Sequence, residues 1–247
     1  MRLTLLGTGS AMPTGERAQS GSLLEGEQCV LVDCGSGVLD ALARTEPGFE
    51  GVDAVLLTHH HLDHVADLLP LLKARWLAGA DPLTVAGPPG TAALLEDLLD
   101  AFDYLDEKVA CEARDVDAPG FSLAGFDVRA REVRHSAYCL AYRFGDAVTF
   151  SGDTEAFEGL ASFAAGSAAL VHDCSFPDGV DVSNHPTPSQ LGAALAGHDC
   201  GTVYLTHRYP QTEGRDEDLV AAVTAAYGGP VRAPEDGHVL DLPAPDG

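Results

Sequence analysis

Thr58-His59-His60-His61-Leu62-Asp63-His64 follows the apolar run Ala54–Leu57, and its reading decides the fold. A buried strand delivers the run to its end, and a helix is expected to begin at about Asp63. His59 and His61 are two residues apart, so in extended backbone they point the same way. Asp63 and His64 then turn toward a neighbouring point. That geometry suits two adjacent metal ions rather than one. A His-x-His-x-Asp-His frame fits only as His59, His61, Asp63 and His64. Begun at His60, it would put Leu62 where a ligand is needed. His60 is therefore read as a bystander or as a group behind the ligands. A histidine-rich surface loop is the bland alternative, and so dense a run of ligand-type side chains at a strand end is rare by chance.

Upstream of this run, strands are expected near Leu3–Leu6, Ser22–Glu25 and Cys29–Val32, with a turn at Asp33-Cys34-Gly35-Ser36-Gly37 and a short helix from Val38. Downstream, Val65, Leu68, Leu69 and Leu72 fall at helical spacing, which predicts a helix over about Asp63–Leu77 that Pro70 would kink. Leu83–Val85 reads as a strand, and Gly87-Pro88-Pro89-Gly90 turns into a helix near Thr91–Phe102. The middle reads as antiparallel strands at Lys108–Glu112, Phe126–Val133, Cys139–Phe144 and Val148–Ser151. A helix, a strand at Ala169–Asp173, a helix near Ser189–Ala196 and a strand at Thr202–Thr206 follow. A helix near Asp216–Tyr227 and a strand near His238–Leu242 end the chain. The simplest packing is sheet on sheet with helices on the outer faces. No linker, repeat or low-complexity stretch divides residues 1–247, so a single domain is expected.

Hydrophobic residues make up 45% of the 247, enough for a sizeable core. No apolar run approaches the roughly 18–20 residues of a membrane span, and the N-terminus has no signal-peptide pattern. A soluble, cytoplasmic protein without a membrane partner is expected. None of the six cysteines forms a Cys-x-x-Cys pair, which favours buried free thiols over disulfides or a thiolate zinc site. Charge is the unusual feature. Asp plus Glu number 38 against 14 for Lys plus Arg, a net charge of -24, and Lys73 and Lys108 are the only lysines. Each acidic run reads as a solvated face. The global bias points to a salt-adapted protein, because at 1 M salt the Debye length is only about 3 Å and self-repulsion is screened.

His-x-His-x-Asp-His after an apolar strand resembles the signature of metallo-β-lactamase-fold hydrolases. Leu31-Val32-Asp33-Cys34-Gly35 resembles that family's first motif, and Val133-Arg134-His135-Ser136 the one carrying its third-motif histidine. Phe150-Ser151-Gly152-Asp153-Thr154 resembles the bridging-aspartate motif, and Leu205-Thr206-His207 the last ligand motif. The branch it most resembles is that of ribonuclease Z-like phosphodiesterases, through Asp173-Cys174-Ser175-Phe176 and His185-Pro186-Thr187. The resemblance implies a four-layer αβ/βα sandwich of two mixed sheets with helices on the outer faces. It implies one metal ion held by His59, His61 and His135, another by Asp63, His64 and His207, and Asp153 bridging them. Two zinc ions per chain suit these donors, with manganese or iron as alternatives.

Asp33 is expected to hydrogen-bond a ligand imidazole, with a simple turn role as the alternative. His185 is the candidate general acid, oriented by Asp173, and Asp63 joins them in the catalytic set. A loop histidine ahead of two prolines is the alternative for His185. His172, His198 and His238 carry no motif. Gly7-Thr8-Gly9-Ser10 lacks a following Gly-Lys and reads as a tight turn rather than a phosphate loop.

The expected activity is dinuclear-metal cleavage of phosphodiester bonds, as an exonuclease-like nuclease or phosphodiesterase on single-stranded or small nucleic-acid substrates. The alternatives are a tRNA 3′-processing endoribonuclease, an ester, thioester or lactam hydrolase, and a non-catalytic binding paralogue. The family resemblance also implies a homodimer. Ribonuclease Z enzymes commonly carry a basic, glycine-rich tRNA-gripping arm, which in the bacterial-type pattern lies between the third-motif histidine and the bridging aspartate. Here that interval, His135 to Asp153, holds only two strands and a turn, with Arg143 its one basic residue. Efficient precursor-tRNA cleavage is therefore not expected.

Overall fold

The computed structural model describes residues 1–243. Two seven-stranded mixed sheets face each other. The first is built from β1 (Arg2–Gly7), β2 (Gly21–Glu25), β3 (Cys29–Val32), β4 (Ala54–Leu56), β5 (Leu83–Gly87) and β6 (Cys111–Asp115). The second takes β7 (Gly120–Leu123), β8 (Phe126–Glu132), β9 (Leu140–Phe144), β10 (Val148–Phe150), β11 (Ala169–Asp173), β12 (Thr202–Thr206) and β13 (Val231–Arg232). The last strand, β14 (His238–Asp241), returns to the first sheet and pairs antiparallel with β1. β3 to β6 run parallel to one another, as do β10 to β13.

Strand parity sorts the side chains into layers, because alternate residues face opposite sides. Leu3, Leu5, Val30, Val32 and Leu56 of the first sheet meet Val128, Tyr142, Phe144, Val148 and Val171 of the second in one core. The intervening Leu31, Val55 and Leu57 face outward. They pack under α1 (Val38–Leu42), α3 (Leu68–Ala78) and α4 (Thr91–Ala101), through Leu42, Leu71, Leu72 and Leu95. On the far side Leu170, Val203 and Leu205 pack under α5 (Glu158–Ala164), α6 (Pro188–Leu195) and α7 (Asp216–Tyr227). Each buried leucine is worth roughly 1.5–3 kcal/mol of transfer free energy. Both expected outer helix layers are therefore present, and the sandwich is four layers deep.

Three local expectations fail for identifiable reasons. The helix expected over 63–77 is two helices, α2 (Leu62–Val65) and α3. Asp67 separates them: its N–H donates to the carbonyl of Cys34, and its carboxylate takes the N–H groups of Gly37 and Leu39 at the start of α1. Pro70 then falls in the first turn of α3, where its missing N–H costs nothing, so it does not kink a helix interior. The strand expected at Lys108–Glu112 begins only at Cys111, because the amides of Lys108 and Val109 turn back onto the Leu105 carbonyl. That strand pairs parallel with β5 in the first sheet and does not belong to the antiparallel middle. The short β7 was not anticipated; Ala124 and Gly125, both at positive φ, make the tight turn that pairs it with β8.

All six cysteines are free, with Cys34, Cys139, Cys174 and Cys200 buried and Cys29 and Cys111 half-buried. Among the described residues no helix is long and apolar enough to cross a membrane.

Candidate metal centre

Parallel strands end on the same edge of a sheet, and the carboxyl ends of β3, β4, β10, β11 and β12 converge on one site. Asp33 follows β3, Thr58 and His59 follow β4, Asp153 follows β10, Asp173 ends β11 and His207 follows β12. This is where open α/β sheets place their ligands. The loop after β8 brings His135, and the loop before α6 brings His185.

The ligand atoms of His59, His61, His135 and Asp153 lie within 4.8 Å of one another, and so do those of Asp63, His64, Asp153 and His207. Asp153 belongs to both sets. Its Oδ2 is 3.7 Å from His59 Nε2, 4.0 Å from His135 Nε2 and 3.1 Å from His207 Nε2. Its Oδ1 is 3.3 Å from His64 Nε2. Asp63 Oδ2 lies 3.1 Å from His207 Nε2 and 3.8 Å from His64 Nε2. All seven expected ligands are thus brought together. His59, Asp63, His64, Asp153 and His207 are buried, and His61 and His135 are half-buried.

In His59, His64, His135 and His207 the outer ring nitrogen is held, which aims the inner one. Asp33 Oδ2 accepts from His64 Nδ1 at 2.8 Å, and Thr58 Oγ1 is 3.1 Å from His59 Nδ1. His135 Nδ1 donates to the carbonyl of Asn184 at 3.2 Å. His207 Nδ1 donates to Ser175 Oγ at 2.9 Å, and Ser175 in turn donates to Asp173 Oδ1. His59 Nε2 and His64 Nε2 are buried with no hydrogen-bond partner. Buried polar atoms are costly when unsatisfied. Two bare imidazole nitrogens aimed at carboxylates fit cation coordination, and the nitrogen-plus-carboxylate donor set suits zinc, manganese or iron.

The electrostatics divide the ligand imidazoles: burial opposes protonation of His64 and His207, yet the carboxylates around them, Asp153 foremost, raise both above the ordinary value. Burial, and then the neighbouring imidazole of His64, push the pKa of His59 far below its ordinary value, so it is a neutral donor. Burial disfavours charge on Asp153, yet the imidazoles of His207 and His64 overcome it and hold its carboxyl well below the usual range.

Two backbone features shape the site. Asp33 and His207 both adopt positive φ, 61° and 56°, which is uncommon for residues with a side chain and clusters at functional positions. A Cβ on Gly35 would lie 2.0 Å from the carbonyl oxygen of Asp63, so only glycine lets the first loop approach α2 this closely.

His185 sits beside both clusters. Its Nδ1 is 2.7 Å from Asp173 Oδ2, and its ring stacks on His207 at 5.2 Å and 12°. Burial opposes its protonation, but the hydrogen bond and charge of Asp173 raise its pKa above the ordinary value. Thr187 caps α6 in a capping box with Gln190, fixing the loop just after His185. Phe176 stacks on Tyr209 at 4.5 Å, and both rings flank His185.

His60 turns away and meets Thr91 Oγ1 at 2.8 Å. Thr8 accepts the N–H of Arg208 through its carbonyl, so the Gly7–Ser10 turn packs beside His207. Ser175 and Thr58 were assigned no part by sequence reasoning, although both lie inside quoted motifs. A hydroxyl one or two residues from an expected carboxylate or ligand was the available signal.

The family model described as the β-lactamase superfamily domain matches residues 28–208. The ribonuclease Z of Mycobacterium avium (strain 104) is 34% identical over 278 aligned positions, taking in 99% of this chain and 99% of the relative. The metallo-β-lactamase fold protein YhfI from Bacillus subtilis superposes with a TM-score of 0.83 at 25% identity, over 97% of this chain and 98% of that one. The short form of human tRNase Z superposes with a TM-score of 0.74 over 99% and 100% of the two chains; at 21% identity that likeness concerns the fold.

Proposed function

Because this chain belongs to the metallo-β-lactamase superfamily, in its ribonuclease Z-like branch, we propose that it is a dinuclear phosphodiesterase acting on single-stranded or small nucleic-acid substrates. It is a metal-dependent hydrolase of phosphodiester bonds. The observation that carries the finer reading is Asp153, one carboxylate shared by two complete histidine–aspartate clusters. His59, His61 and His135 would hold one ion, Asp63, His64 and His207 the other, and Asp153 both. When bound, such a pair supplies Lewis acidity and an activated water for in-line displacement.

The residues around it have separable tasks. Asp33, through His64 Nδ1, and Ser175, through His207 Nδ1, fix the tautomers that leave each Nε2 free to coordinate. His185, hydrogen-bonded to Asp173, gives its proton to the leaving oxygen as the phosphorus–oxygen bond breaks. Asp63 contributes through its position beside His207.

Residues 136–152 favour small or flexible substrates over a folded tRNA. They are spent on β9, a turn and β10. Arg143, the only base there, is buried and bonded to Asp146 and to the carbonyls of Phe163 and Ala165. The 278 positions aligned with the Mycobacterium avium enzyme exceed this chain's 247 residues, so that relative carries chain this one lacks. The same 34% whole-length identity favours a second reading, tRNA 3′-end maturation. A precursor tRNA assayed beside a single-stranded oligonucleotide decides between them. Faster oligonucleotide turnover supports the first reading, and faster accurate cleavage at the tRNA 3′ end the second.

Further parts of the reading rest on chemistry and composition. Zinc is the proposed metal. The net charge of -24 supports a salt-adapted protein. Six free cysteines support the reducing cytoplasm, and the family likeness supports a single domain assembling as a homodimer, testable by sedimentation.

A further inference from the structure

Arg129, Arg131 and Arg134 lie in succession along the end of β8 and the residues after it. Val128 and Ala130 face the inter-sheet core, so Arg129 and Arg131 project from the opposite, outer face. All three arginines are exposed, and among the described residues none makes an ion pair or a side-chain hydrogen bond. In a chain with 38 acids and 14 bases, three unpaired arginines within six residues are unexpected. Each lies over a phenyl ring instead. Arg129 is 5.5 Å from the centre of Phe163, Arg131 is 5.9 Å from that of Phe157, and Arg134 is 4.5 Å from the same ring. Stacking of this kind holds a guanidinium in place while its N–H edge stays free for a bidentate anion.

Arg131 and Arg134 line a groove of about 740 Å³ together with Phe157 and, from α6, Gln190 and Ala193. Glu158 is its only acidic lining residue. Along the chain the groove residues adjoin those of the metal centre. Arg134 immediately precedes His135; its N–H donates to Thr154 Oγ1 at 3.1 Å, and its carbonyl accepts the Glu155 N–H at 2.9 Å, both just after Asp153. Helix α6 begins three residues after His185.

We propose that this groove is a backbone subsite. Arg134 and Arg131 take successive phosphates of a single-stranded nucleic acid whose scissile bond lies at the metal centre, and Arg129 extends the track. The inference rests on the phosphodiesterase reading above and names where the polymer runs. With a net charge of -24 the surface at large repels a polyanion, so a local unpaired cationic track governs where one can approach.

The test uses metal-loaded protein and a fluorescently labelled single-stranded ten-nucleotide probe. Binding is read by anisotropy across a range of KCl concentrations, beside turnover of bis(p-nitrophenyl) phosphate. R131Q/R134Q should weaken probe binding about 10–100-fold. It should also make the slope of log affinity against log salt shallower by about 1.4, two phosphates at about 0.7 each for a single strand. The loss on bis(p-nitrophenyl) phosphate, too short to span the groove, should be at least about ten times smaller. R131K/R134K, which keeps the charge, should restore most of the slope. Unchanged affinity and slope would overturn the inference, as would equal losses on probe and small substrate with a lowered melting temperature. A wild-type protein that binds the probe through these arginines yet never turns over bis(p-nitrophenyl) phosphate would sink the phosphodiesterase reading and leave the groove standing. Failure of the wild type to bind the probe would sink the groove.

Discussion

Asp33 Oδ2 lies 2.8 Å from His64 Nδ1, while Oδ1 of the same carboxylate takes the backbone N–H of Thr58 at 2.8 Å. One side chain from the end of β3 therefore orients a ligand ring and fixes the start of the histidine loop. Asp33→Asn keeps the shape and tolerates the positive φ of this position, but it drops the charge. It should weaken metal binding about 10–100-fold, the usual range for such outer partners. Competition against a chelating dye reads this directly. Affinity equal to wild type would mean that Asp33 serves only the turn.

His185→Ala should lower phosphodiester turnover about 10²–10⁴-fold, the range of a lost general acid, with metal content near wild type. The loss should shrink when p-nitrophenolate is the leaving group, since it needs little protonation. Equal losses on good and poor leaving groups would argue that His185 positions rather than protonates.

Gly35→Ala tests the close approach of the first loop to α2. The new methyl would lie 2.0 Å from the Asp63 carbonyl oxygen and 2.7 Å from Gln19 Cβ. Overpacking of this kind costs about 1–3 kcal/mol, and the shift would move Asp63 within the site. A lower melting temperature together with reduced metal content is expected. A variant with wild-type melting and metal content would show that the loop yields freely.

Salt should stabilise the folded chain. Most of the net charge of -24 is carried by exposed carboxylates, and molar KCl screens their repulsion to within about 3 Å. The melting temperature should rise from dilute buffer to molar KCl. A flat or falling curve would contradict salt adaptation.

Much of this was legible in the chain because it is written in strand ends and alternation. Leu3, Leu5, Val30 and Val32 face one way and Leu31 and Leu6 the other, as period two requires. His59, Asp153 and His207 each follow an apolar run of the kind that becomes a central strand. What was hidden depends on partners distant in sequence. The break at Asp67 is made by Cys34, Gly37 and Leu39, which no local pattern around Val65–Leu72 announces. Ser175 looked like one polar residue in a motif, and its role emerges only when β12 places His207 Nδ1 2.9 Å from its hydroxyl. The parallel pairing of β6 with β5 is likewise a matter of crossover, not of composition.

The central claim is that two ions are held around Asp153, and the measurement that reaches it most directly is the number of metal ions per chain. Protein stripped with chelator, reloaded with zinc or manganese and freed of excess metal should carry close to two ions per chain by elemental analysis, as the two ligand sets sharing Asp153 require. Protein that retains no metal after reloading with either ion would contradict the account.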